Sequence, residues 1–159
     1  MDGTLFQTET LLVPAYHATF EKLREERLHT GETPDVSIML GCLGMLLEQI
    51  WKQVIPDASP EAHRRADELL EYFEDQGLRL GQGLLYPEVK ETLDQLHRKG
   101  IRLFVASNGL ESYVKGVIHS KGLAHLFDGL YSAGEYKTKT KVDLVRILLE
   151  KHGVKTAGW

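Results

Sequence analysis

The sequence predicts an α/β protein: a parallel sheet covered by helices, with an all-helical segment inserted near the N-terminus. Two observations carry this prediction. In about residues 8–84 the apolar residues recur at steps of three and four, which is helical spacing, and no strand pattern stands out. From residue 84 onward helices alternate with short apolar runs, which is the rhythm of a parallel sheet packed between helices.

The first of these regions reads as roughly four helices. Thr8 stands at the N-cap of the first, where a hydroxyl can accept a hydrogen bond from a free backbone N–H. A second helical stretch is predicted over residues 36–54. Ser59 followed by Pro60 opens a further helix, because serine caps helices and proline suits their first turn.

The second region is organised around residues 101–106, a short apolar run between Gly100 and a Ser-Asn-Gly turn. This run predicts a strand buried on both faces of the sheet. Further elements are predicted around it: a helix from Pro87, a helix over about residues 110–121, a short strand at 130–132, a helix at 142–152 and the start of a strand at 156–159.

Composition excludes several classes of protein. The net charge of −4 and the lack of a basic stripe argue against a nucleic-acid binder. The most apolar segment is too short and too glycine-interrupted to span a bilayer, and the N-terminus lacks the pattern of a signal peptide. The one cysteine, Cys42, excludes an internal disulfide. We therefore expect a cytoplasmic enzyme, and the sequence leaves its oligomeric state open.

Ser107, Asn108 and Gly109 mark the candidate site, because ligands of open α/β sheets bind beyond the carboxyl ends of the strands. A hydroxyl, backbone N–H groups and a helix N-terminus together form a phosphate cradle. The alternative from spacing alone is that Ser-Asn-Gly is an ordinary turn followed by a helix cap.

The N-terminal Met-Asp-Gly-Thr-Leu resembles the second half of the first motif of the haloacid dehalogenase superfamily, Asp-x-Asp-Gly-Thr-Leu, with Met1 as the x. Residues 84–109 resemble the segment that leads into and contains the second motif of that superfamily. The resemblance implies a three-layer, Rossmann-like core made of residues 1–8 and 85–159, with a helical cap inserted at residues 9–84. It also implies that the nucleophilic Asp precedes Met1.

The resemblance assigns roles to individual residues. Asp2 would exchange protons with the leaving oxygen and with water, and its backbone carbonyl would bind Mg²⁺. Thr4, Ser107, Asn108 and Gly109 would hold the phosphoryl group. The acidic fourth motif, which supplies the remaining Mg²⁺ ligands, would follow the end of this sequence, so we expect the 159-residue chain alone to be inactive.

The motif lysine has two candidates. Family members in which the lysine stands two residues before a Val/Ile pair favour Lys141, and members with Lys-Pro-x-Pro-Asp favour Lys139. We take Lys141 as the better match and keep Lys139 as its rival, since this sequence lacks the Lys-Pro pattern.

The resemblance implies hydrolysis of a small phosphate monoester through an aspartyl-phosphate. Asp2 favours phosphate esters over haloacids, because a departing halide needs no proton whereas a departing alkoxide does. A sugar-phosphate mutase would keep the same acid, so that alternative stays open. So does a non-catalytic binding protein, because the printed sequence contains no nucleophile at the motif position.

Overall fold

The computed structural model describes residues 1–45 and 47–154. The chain divides into two compact units, which we call the helical unit (Asp2–Pro87) and the α/β unit (Met1 with the chain from Glu88 onward). The loop that begins at Asp2 thus belongs to the helical unit. The boundaries predicted at residues 9 and 84 stay a prediction.

The helical unit contains four helices between two short strands. Its elements are β1 (Phe6–Gln7), α1 (Glu9–Glu25), α2 (Val36–Gly41), α3 (Leu47–Val54), α4 (Pro60–Arg79) and β2 (Leu84–Leu85). Its apolar core includes the fully buried rings of Tyr16, Phe20 and Trp51. Burial of such side chains is the dominant favourable contribution to folding.

β1 and β2 pair antiparallel, with Phe6 opposite Leu85 and Gln7 opposite Leu84. Side-chain bonds reinforce this short pairing. The amide Nε2 of Gln7 donates to the Leu85 carbonyl at 2.8 Å, and the Leu84 N–H donates to the Thr10 hydroxyl at 2.8 Å. This pair of strands, which we call the β1–β2 ribbon, therefore holds the two ends of the helical unit together.

Two polar features fix α4 within the helical unit. The Ser59 hydroxyl accepts from the Ala62 N–H at 3.1 Å, which confirms the predicted N-cap. Arg65 then donates two bonds of 2.7 Å to the carboxylate of Glu26 beyond the end of α1. These bonds from Arg65 hold the pKa of Glu26 below its usual range, because they favour the ionised carboxyl.

The α/β unit is built on two parallel strands. Its elements are α5 (Val89–Arg98), β3 (Phe104–Ser107), α6 (Glu111–Ser120), a 3₁₀ turn (Ala124–Leu126), β4 (Gly129–Ser132), α7 (Ala133–Tyr136) and α8 (Lys141–Lys151). β3 and β4 pair in register from Phe104 opposite Gly129 to Ser107 opposite Ser132. Both strands consequently end at the same level.

A histidine at the C-terminus of α8 ties that helix to both strands. The Nδ1 atom of His152 lies 2.7 Å from a guanidinium nitrogen of Arg102, and its Nε2 lies 2.8 Å from the Tyr131 hydroxyl. Since a guanidinium can only donate, Arg102 is the donor in the first of these contacts. The ring also contacts Phe104 at a centroid distance of 4.4 Å.

Most elements predicted from spacing are confirmed, and the differences have local causes. The strand expected at residues 101–106 forms over Phe104–Ser107, and the α/β class is confirmed. The single helix predicted over residues 36–54 is wrong: α2 ends at Gly41, and the chain turns before α3, with Gly44 at φ +95°. The strand predicted at residues 156–159 lies outside the described residues.

Gly83 and Gly81 form a matched pair for testing the ribbon. Both have positive φ, +79° and +80°, but a Cβ at Gly83 would lie 2.8 Å from Cε2 of Phe6, whereas a Cβ at Gly81 would meet nothing within 4 Å. We expect Gly81→Ala to lower the free energy of unfolding by about 1 kcal/mol, because alanine disfavours a positive φ. Gly83→Ala should lower it by about 1–3 kcal/mol more, because its Cβ is also forced against Phe6. Thermal melting of both variants measures the difference, and equal melting temperatures would contradict it.

Candidate functional site

The loop from Asp2 to Thr8 folds back on itself. The Gly3 N–H donates to the Phe6 carbonyl at 3.1 Å, and Gly3 takes φ +65°, a conformation that glycine adopts without strain. This closure brings the Thr8 hydroxyl to the carboxylate of Asp2, where it donates to Oδ1 at 2.8 Å. Thr4 lies exposed in the same turn. The Asp-Gly-Thr-Leu motif is thus a closed turn that presents a carboxylate.

Glu74, on α4, is a second acid close to Asp2. Removal from water and, to a smaller extent, the negative charges of Asp2 and Glu71 together raise its pKa to about 8. Two other acids of the helical unit therefore act on the ionisation of Glu74. The sequence pattern did not single out Glu74, because its helical position alone does not show that it faces the Asp2 loop.

Two serines stand at the carboxyl ends of the parallel strands. Ser107 and Ser132 are register partners, and both are buried, at 3% and 2% exposure. The Ser107 hydroxyl accepts from the Gly109 N–H at 3.3 Å, and that of Ser132 accepts from the Glu135 N–H at 3.1 Å. A serine hydroxyl that accepts one bond still has its own hydrogen to donate, so each side chain can serve an anion as a donor.

The turns after the two strands touch through their backbones. The Gly134 N–H donates to the Gly109 carbonyl at 3.3 Å, and a Cβ at Gly134 would lie 2.9 Å from Cα of Leu110. Leu110 is the N-cap of α6 and has no polar side chain to bond the first turn of that helix. Partly buried Asn108 precedes this turn, whose N–H groups are the kind that bind phosphate.

The lysine-rich segment follows α7. Lys137 adopts the left-handed conformation at φ +51°, which turns the chain toward α8. The Thr140 hydroxyl caps α8 by accepting from the Asp143 N–H at 3.2 Å. Lys139 lies in the loop and Lys141 is the first residue of α8, and both are exposed. The structure therefore leaves both candidates accessible.

The predicted site residues fall into two groups, one on each unit. Asp2 and Thr4 lie on the helical unit, whereas Ser107, Asn108, Gly109, Lys139 and Lys141 lie on the α/β unit. Their convergence on one phosphoryl group stays a prediction. Sequence reasoning missed Ser132. The prediction that the Thr8 hydroxyl caps the first helix is wrong, because that hydroxyl donates to the Asp2 carboxylate instead. The register of β4 against β3 could have indicated Ser132, since both predicted strands end in a serine or directly before one.

Within residues 1–45 and 47–154, no group of three or more His, Cys, Asp and Glu side chains is placed to hold a metal ion. Of the helices in these same ranges, none is long and apolar enough to cross a membrane.

These features define a class: an α/β protein with polar turns at the ends of its parallel strands and a helical unit closed by a two-stranded ribbon. The chain belongs to the family described as haloacid dehalogenase-like hydrolases, whose model matches residues 1–157.

Curated relatives and a solved structure are similar to this chain in sequence and in fold, respectively. A phosphoglycolate phosphatase of Vibrio cholerae is 36% identical over 61% of this chain and 43% of its own length. A phosphoglycolate phosphatase of Vibrio vulnificus is 29% identical over 97% of this chain and 68% of its own. In fold, the chain is similar to a haloacid dehalogenase-like hydrolase from Streptococcus pneumoniae, with a TM-score of 0.76 and 21% identity over 96% of this chain and 67% of that one. The chain thus spans less than half of the first relative and about two thirds of the other two proteins.

Replacing Glu74, the partly buried acid of α4, should stabilise the protein in a pH-dependent way. The pKa of Glu74 is about 8 in the folded protein against 4.5 in the unfolded chain. Between these pH values the unfolded chain releases the proton while the folded protein keeps it, so the free energy of unfolding falls as pH rises. We expect Glu74→Gln to raise the melting temperature at pH 8 and to have little effect near pH 4. Glu32→Gln, in an exposed turn, is the control. An equal shift at both pH values would contradict the assignment.

Proposed function

We propose that the intact protein, meaning the natural protein at its full length, is a Mg²⁺-dependent phosphatase of small phosphate monoesters that works through an aspartyl-phosphate. The observation that carries this proposal is the closed Asp-Gly-Thr-Leu turn, in which a buried hydroxyl holds the Asp2 carboxylate. Membership of the hydrolase family and similarity to proteins named phosphoglycolate phosphatase support it.

In the proposed reaction, the Asp that the family motif places directly before Met1 attacks phosphorus, and the bond from phosphorus to the leaving oxygen breaks. Asp2 gives its proton to that oxygen and then takes a proton from the water that hydrolyses the aspartyl-phosphate. Each turnover thus releases an alcohol and phosphate and restores the protonation state of Asp2. An acid in this position matters most for alkyl esters, whose leaving groups are poor.

The α/β unit would hold the transferring phosphoryl group. Ser107 can donate its hydroxyl hydrogen, and the backbone N–H groups around Asn108 and Gly109 can donate as well. A lysine from the loop before α8 would balance the negative charge, and Lys141 is the better candidate. Phosphoryl transfer depends mainly on such positioning and charge neutralisation.

The backbone carbonyl of Asp2 would serve as one Mg²⁺ ligand, because this hard cation prefers oxygen ligands. The described residues do not complete the site, so its other ligands would come from the family's acidic fourth motif and from the phosphate itself. When bound, Mg²⁺ would neutralise charge on the phosphoryl oxygens.

The class of substrate follows from the relatives and from Asp2. Phosphoglycolate is the named substrate of the two Vibrio proteins, and a small phosphorylated metabolite of that kind is our proposed substrate class. A sugar-phosphate mutase would use Asp2 in the same way and would differ in the molecule that accepts the phosphoryl group. Release of inorganic phosphate from a panel of esters separates the two activities.

The first test of the proposed function is the Asp2→Asn variant of the intact protein. We expect wild type to hydrolyse alkyl phosphates with Mg²⁺ and to lose this activity in EDTA. Asp2→Asn should lower turnover of alkyl phosphates by about 100-fold or more, because it removes proton transfer while keeping the shape of the side chain. Steady-state phosphate release measures both effects. Activity in EDTA, or normal turnover by Asp2→Asn, would refute the mechanism.

The second test decides between the two lysines. We expect Lys141→Met to lower kcat/KM by about 100-fold, because one preorganised positive charge is lost from the transition state. Lys139→Met should change kcat/KM by less than about threefold, as for an exposed charge outside the site. The two variants are matched in residue type and exposure. The reverse order of effects would assign the role to Lys139.

A further inference from the structure

The two threonines between α7 and α8 differ in their hydrogen bonding. The Thr140 hydroxyl is fully used by α8, because it accepts from the Asp143 N–H and donates to the carboxylate of the same residue. The Thr138 hydroxyl is buried from water and has no hydrogen-bond partner in the part of the chain that the structure describes. Buried polar groups are nearly always paired, so an unpaired one calls for an explanation.

The segment around Thr138, residues 137–140, is also strained and positively charged, and we call it the lysine loop. Lys137 has φ +51°, a left-handed conformation that lysine rarely adopts because its Cβ crowds the backbone. None of the ion pairs between described residues includes Lys137, Lys139 or Lys141. Backbone strain and unpaired polar groups of this kind cluster where proteins bind ligands.

We propose that the lysine loop takes a second arrangement when the phosphoryl group binds, and that the Thr138 hydroxyl then leaves its buried position and donates to a phosphoryl oxygen. Thr138 thereby adds a neutral donor beside the positive charge of the motif lysine. Thr140, whose cap is complete, stays with α8. This inference rests on the proposed function, because it assigns a further ligand to the same phosphoryl group.

The arrangement seen here favours such a change energetically. An unpaired buried hydroxyl and a left-handed lysine each raise the free energy of the unbound loop. A bond from Thr138 to a charged oxygen removes the first of these penalties, since bonds to ionised groups are stronger than neutral ones. A ligand shifts a conformational equilibrium toward the state that it binds better, and only the second arrangement offers it the Thr138 hydroxyl.

The test compares Thr138→Val with wild type in the intact protein. Valine replaces the unpaired hydroxyl with a methyl group, so the melting temperature without ligand should rise by about 2 °C or more. kcat/KM for an alkyl phosphate should fall about tenfold, and the inhibition constant of inorganic phosphate should rise about tenfold, because one charge-assisted hydrogen bond is lost. Thr138→Ser, which keeps the hydroxyl, should retain both constants within about twofold.

The control is Thr19→Val, the same substitution at a fully buried threonine of α1 whose hydroxyl donates to the Ala15 carbonyl at 2.9 Å. Because this hydroxyl has its partner in the fold, we expect the melting temperature to fall and the inhibition constant of inorganic phosphate to stay the same.

The outcomes separate this inference from the proposed function. If Thr138→Val melts at or below the wild-type temperature, or keeps the wild-type kcat/KM or inhibition constant, the inference fails while the proposed function stands. The same holds if Thr138→Ser is as impaired as Thr138→Val. A wild-type protein that hydrolyses no alkyl phosphate with Mg²⁺ would overturn the proposed function and the role of Thr138 with it.

Discussion

The pairing of β1 with β2 is the contact on which the helical unit depends. It joins residues 78 positions apart, such as Gln7 and Leu85, and so closes a long chain segment through very few backbone bonds. Closing such a segment costs conformational entropy, which the buried helical core must offset. Phe6 contributes directly, because its buried ring lies against the backbone of Gly83. With the ends fixed together, α1 starts immediately after the Asp2 loop, and a cap residue of that helix can reach the carboxylate.

The helical unit and the α/β unit differ sharply in charge. Residues 2–87 contain 15 Asp and Glu against 7 Lys and Arg, whereas the lysines of the proposed phosphate site all follow residue 136. Within the acidic unit, nearby negative charge disfavours ionisation of Glu74. A positive environment suits the binding of a phosphoryl group. The proposed chemistry thus assigns proton transfer to one unit and anion binding to the other.

Much of the fold was predictable because it follows from local pattern. The helical spacing of α1 and α4, the Ser59 cap and the apolar strand before Ser107 each depend on residues close in sequence. The β1–β2 ribbon was not predictable in this way, because two-residue strands leave no periodicity to detect. The break between α2 and α3 was missed because glycine is tolerated inside helices, and only its positive φ shows that it ends one.

The candidate site shows the same difference between residues that local sequence predicts and residues that only the packing reveals. The resemblance to the family motifs predicts Asp2, Ser107 and Asn108 as site residues from their immediate neighbours, whereas Ser132 and Glu74 stand out only through the elements that pack beside them. The backbone contact between the turns at Gly109 and Gly134 is of this second kind, and it constrains natural variation. Any side chain at Gly134 would press on the backbone of the neighbouring turn, whatever its polarity. An allele that replaces Gly134 is therefore expected to impair folding, and its phenotype would report that defect and not substrate preference.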